Sequence, residues 1–92
     1  MGIHICVQTV DHKEHPDWDF CRFHGDRQLP DVVEEVGQER NHIEEFDYLY
    51  RPSCPQKFYE RMVEVTDGAN EERWRQLRDI LEDEKWWLRY SY

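Results

Sequence analysis

The chain has 92 residues, with 12 lysines and arginines against 21 aspartates and glutamates and a formal net charge of −9. That length accommodates one small domain, residues 1–92, and the 14% aromatic content lets a chain with only 38% hydrophobic residues bury a core. The charge leaves no basic footprint for nucleic acid or an anionic membrane, and no apolar run reaches membrane-spanning length.

The opening "MGIHICVQTV" is too short and too alternating for a signal-peptide core. Cys6, Cys21 and Cys54 cannot all pair within the chain, so reduced thiols in a soluble cytoplasmic protein are expected. In residues 3–10, Ile3, Ile5 and Val7 alternate with His4, Cys6 and Gln8, which predicts a strand. Residues 11–29 admit a short helix from Pro16 to Gly25 or a second strand carrying Trp18 and Phe20; the helical turn is the preferred expectation. "LPDVVEEV" spaces Leu29, Val32, Val33 and Val36 as a helix stopped by Gly37. "EEFDYLYRP" alternates Phe46, Tyr48 and Tyr50 against Asp47 and Leu49 and predicts a strand ending at Pro52.

Ser53 is placed to cap the next helix, with Pro55 in its first turn and Phe58, Met62 and Val65 as its apolar stripe. "TDGAN" ends that helix. Asn70 is placed to cap another, in which Trp74, Leu77 and Leu81 share a face and Glu71/Arg75 and Arg78/Glu82 form pairs four residues apart. "WWLRYSY" then predicts a final strand with Trp86, Leu88, Tyr90 and Tyr92 on one side and Trp87, Arg89 and Ser91 on the other. The expected architecture is α+β: a small sheet of N-terminal, central and C-terminal strands with two or three helices on one face.

The stretch "DHKEHPDWDFCRFHGDR" concentrates the chemistry. His12, His15, Cys21 and His24 give H-x2-H-x5-C-x2-H, the ligand types that zinc prefers, with His4 and Cys6 as alternative ligands. A catalytic reading uses His15 as general base, oriented by Asp17, Asp19 or Asp26, with Arg22 or Arg27 stabilising an anion. No glycine-rich phosphate loop, H-E-x-x-H or nucleophile elbow supports it. The simpler reading is a polar loop capped by its aspartates, stiffened by Pro16, anchored by Trp18 and Phe20, and paired through Arg22 or Arg27.

"HPDWD…R…GDR" (His15 to Asp19, Arg22, Gly25 to Arg27), "YRPS" at 50–53 and the segment Ile80 to Trp87 resemble small proteins encoded by bacteriophages and prophages. The resemblance implies a phage or bacterial cytoplasmic origin and brings no activity or functional residue with it.

Between Asp31 and Asp47 the acidic residues Glu34, Glu35, Glu39, Glu44 and Glu45 face only Arg40. Such a segment solubilises a small protein, or steers it onto a basic partner, including one whose groove normally holds nucleic-acid phosphates. Trp87, flanked at two-residue spacing by Lys85 and Arg89, is the candidate aromatic anchor. The sequence therefore favours a protein-binding domain over an enzyme, without a cofactor, using Glu34, Glu35, Glu39, Glu44, Glu45, Asp47 and Trp87 to inhibit a host nucleic-acid-binding protein. The alternative is a zinc-stabilised domain or small metal-dependent hydrolase built on His12, His15, Cys21 and His24.

Overall fold

In the computed structural model of the protein, residues 3–19, 21, 23–44 and 47–91 are described. Strand β1, His4–Gln8, buries Ile5 and Val7. It pairs antiparallel with the last strand, β4 (Trp87–Ser91), with Ile5 opposite Tyr90 and Val7 opposite Leu88. Directly opposed residues share a face, so Ile5, Val7 and Leu88 form one apolar row.

After β1 the chain folds back along it: the Thr9 N–H donates to the Lys13 carbonyl at 2.9 Å and the His15 N–H to the Val7 carbonyl at 2.9 Å. Among the described residues there, neither the expected helix from Pro16 nor a second strand with Trp18 is present, and the helical turn that is present is a 3-10 turn at Asp26–Gln28. Tertiary anchors override local preference, because the buried Trp18 indole N–H donates to the Ile5 carbonyl at 2.7 Å and ties the loop to β1. Phe20 and Arg22, expected to help anchor this loop, lie outside the described residues, as do Glu45, Phe46 and Tyr92.

Gly25 opens the 3-10 turn at φ +96°, and a Cβ there would sit 2.6 Å from Thr66 Cγ2 and 3.0 Å from Trp74 Cζ2. Both the left-handed backbone and the close approach require glycine. Helix α1, Leu29–Glu35, follows and buries Leu29, Val32 and Val33, ending before Gly37 as its spacing predicts.

Strand β2, Gln38–Glu44, is an element the sequence did not announce. Its residues QERNHIE lack an apolar alternation, since it is an edge strand held by backbone pairing. It pairs antiparallel with β3, Asp47–Pro52, with Arg40 opposite Tyr50 and His42 opposite Tyr48. Within β3, Leu49 is fully buried, whereas Tyr48 and Tyr50 are half-buried and join His42 and Tyr90 in a row of ring contacts at 4.9, 6.4 and 5.1 Å.

Helix α2, Pro55–Val65, starts one residue later than expected: its N-cap is the extended Cys54, not Ser53, and no side chain caps it. Ser53 is instead held by its own N–H, which donates to the Gly37 carbonyl at 2.7 Å. Helix α3, Glu71–Leu81, has Asn70 at its N-cap with φ +57° and no side-chain cap bond; the Asn70 amide donates to the His24 carbonyl at 2.8 Å instead. The pair Glu71/Arg75 forms at 2.8 Å, while Arg78 pairs with Asp79 at 2.9 Å rather than with Glu82.

The sheet order is β1-β4-β3-β2, antiparallel throughout. Ile5, Val7 and Leu88 meet Leu29 and Val33 of α1, Phe58 and Met62 of α2, and Trp74, Leu77 and Leu81 of α3 in one core. This is a small α+β fold. Among the described residues no helix is long and apolar enough to cross a membrane.

Candidate functional site

The histidine-rich loop is organised by a residue far away in sequence. Arg73 of α3 reaches Asp26 with Nε at 3.2 Å and Nη2 at 3.3 Å, and it donates to the Asp19 carbonyl at 2.7 Å. Its guanidinium lies 4.0 Å from the centre of the Trp18 ring and 4.1 Å from that of Phe23. Burial lowers the Arg73 pKa from its ordinary value, and the Asp26 carboxylate opposes that shift. The loop's arginine partner is thus Arg73, not the Arg27 of the loop itself.

Around this anchor the four candidate zinc ligands do not converge. His12, at φ +66°, meets the Gln8 amide; His15 Nδ1 accepts the Asp17 N–H at 3.1 Å; the His24 carbonyl serves Asn70. Cys21 is exposed beside Asp19, whose hydrogen bond and charge push its thiol pKa up, away from the reactive thiolate. Among the described residues no three His, Cys, Asp or Glu side chains are gathered as a metal site requires, so no metal-dependent step is derived from them.

The acidic segment runs through α1, β2 and the start of β3. Glu34 and Glu35 are exposed on α1, and Glu35 holds Arg61 at 3.1 Å. Glu44 is the register partner of Asp47 in the β2–β3 pairing, and Glu45 lies outside the described residues. Glu39 of β2, by contrast, comes together with Trp87.

These two line a groove of about 420 Å³ whose other walls include Arg51, Leu81, Glu82 and Glu84. Arg51 of β3 shapes it from beneath. Its guanidinium donates to the carbonyls of Leu81, Trp86 (3.0 Å) and Asp83 (3.5 Å), closing the end of α3, where helix carbonyls lack partners. Its side chain is 7% exposed, 3.8 Å from Glu39 and 5.7 Å from the centre of the Trp87 ring. Arg51 is therefore committed to the helix end, while Glu82 and Glu84 stand exposed and, among the described residues, form no ion pair. Carboxylates around a half-buried indole are complementary to an ammonium or guanidinium group.

Glu39 and Trp87 were legible as binding candidates; Glu82, Glu84 and Arg51 were not. The available signal was the run "EDEKWW", which places acids immediately before two tryptophans. No family model, curated protein or solved structure matches the chain.

Proposed function

We propose that this protein is a small acidic binding domain that docks onto a basic surface of a partner protein. The observation that supports this reading is the convergence of Glu39, Glu82 and Glu84 on a groove walled by Trp87. An aromatic anchor ringed by charge is the composition of an interface centre, and the net charge of −9 speeds approach to a positive surface. A partner surface shaped for nucleic-acid phosphates suits this chemistry, because clustered carboxylates offer it the same sign of charge. Occupying it inhibits nucleic-acid binding, the role expected of a phage protein acting on a host protein.

The test is capture from bacterial lysate by tagged wild-type, Trp87→Ala and Glu82→Lys/Glu84→Lys baits, washed over a salt series, with retained proteins identified by mass. The expected result is a stoichiometric partner, normally bound to nucleic acid, that is released by salt and lost from both variants. A partner held equally by all three baits overturns the assignment to this groove.

A further inference from the structure

Trp86 and Trp87 are adjacent in sequence yet line different grooves. Trp86 forms one wall of a larger depression, about 610 Å³, between the turn at residues 15–17 and one side of α3. Ile80 gives it a second apolar surface, and Asp17, Glu72, Asp79 and Asp83 set its charge. The His15 ring meets Trp86 edge-on at 4.6 Å between centroids, which fixes that wall. Arg75, which also lines the groove, is engaged by Glu71 at 2.8 Å.

The chain's own Lys85 does not line the groove, but it sets a cation against two residues that do. Its ammonium lies 5.3 Å from the centre of the Trp86 ring and 3.6 Å from an Asp83 carboxylate oxygen, with its side chain 61% exposed. An ammonium between an indole face and a carboxylate is an occupied cation site, and its occupant is attached to the end of a flexible, solvent-exposed stem. Exposed ion pairs of this kind are weak, so a second cation presented along with others displaces Lys85.

We propose that this groove binds a lysine-bearing segment of a basic protein, and that Lys85 is a built-in competitor for the same position. The proposal rests on the reading of the protein as a binder of basic partners but assigns a separate site. Charge complementarity commits the occupant: Asp79 is held by Arg78 and Asp83 by Lys85, the lining Arg75 is held by Glu71, and Asp17 and Glu72, which form no ion pair among the described residues, leave the groove negative, while the aromatic wall selects a cation over a neutral side chain.

The test is a titration with hexalysine, followed by calorimetry and by the assigned indole N–H resonances. Lys85→Gln is compared with Lys57→Gln, which removes the same charge from an exposed position on α2 outside the groove. The expected result is about fivefold tighter binding for K85Q than for K57Q, because only the former vacates the site. The Trp86 resonance moves and that of Trp87 does not. Adding Asp83→Asn to K85Q reverses the gain; Glu72→Gln, which removes a lining carboxylate that forms no ion pair among the described residues, serves as the second variant should the turn at Asp83 be disturbed. Equal affinities for K85Q and K57Q, or a Trp86 resonance that does not move, overturn the proposal. Trp87-dependent partner capture surviving that failure leaves the function reading intact. A K85Q-specific gain without Trp87-dependent capture overturns the function assignment alone.

Discussion

Arg73 shows how one side chain fixes a loop that its own residues leave open. Asp26 and Arg73 are both nearly fully buried, at 2% and 6% side-chain exposure, so removing either partner strands a charge away from water. Arg73→Met is expected to cost about 3–5 kcal/mol in chemical denaturation, with Asp26→Leu in the same chain recovering much of that loss. Recovery would show that the cost lies in the orphaned carboxylate; no recovery would locate it in the ring contacts with Trp18 and Phe23. A second residue-scale expectation concerns Glu71, whose pKa is lowered first by the Tyr59 hydroxyl, which donates to it at 2.7 Å, and then by Arg75. A carboxylate with a depressed folded-state pKa adds stability above its unfolded pKa and loses it as pH falls through the folded value. Tyr59→Phe should therefore raise the Glu71 midpoint in an NMR titration and move the acid limb of the stability profile to higher pH.

At the scale of elements, the periodic segments were legible and the edge and loop were not. Trp74, Leu77 and Leu81 on α3, Phe58 and Met62 on α2, and Ile5 and Val7 on β1 are buried as their spacing predicts, because burial leaves its period in the sequence. Strand β2 left no such trace, since QERNHIE satisfies its backbone through β3 and has no apolar face to alternate. The loop misled for the opposite reason: Pro16 and Gly25 are helix punctuation, yet Arg73, about fifty residues downstream, decides the conformation, and a contact that distant has no local signature. Trp86 is half-buried: it packs against the core and also walls a groove. The cap of α2 offers a test at this scale. Cys54 occupies the N-cap in an extended conformation, φ −130°, without a side-chain bond to the first turn. Cys54→Ser supplies the missing acceptor and is expected to raise stability by about 0.5–1 kcal/mol, read as a higher melting temperature. An unchanged melting temperature would mean that the lost thiol packing offsets the new bond.

For the whole molecule, the decisive feature is where the negative charge is left unneutralised. A net charge of −9 repels itself across a domain of 92 residues, and on the described surface part of it is taken up locally, as when Arg61 holds both Glu35 and Glu64. The turn from α3 to β4 sets unneutralised carboxylates beside an aromatic groove: Asp83 spends its charge on Lys85, while Glu82 and Glu84 are exposed beside Trp87. Long-range attraction sums over all these charges, but the rate of productive encounter depends on which of them surround the docking point. Charge reversal of Glu82 and Glu84 should therefore slow association with the partner more than the same reversal at Glu34 and Glu35, although both pairs change the net charge equally. Stopped-flow association rates measured over a range of ionic strength separate the two cases. If the grooves beside Trp86 and Trp87 are the docking point, the Glu82/Glu84 variant loses most of the salt dependence and the Glu34/Glu35 variant keeps it. Equal loss in both would mean that the partner responds to net charge alone, whereas a larger loss at Glu34 and Glu35 would shift the interface to the broader acidic surface that the sequence marks between Asp31 and Asp47.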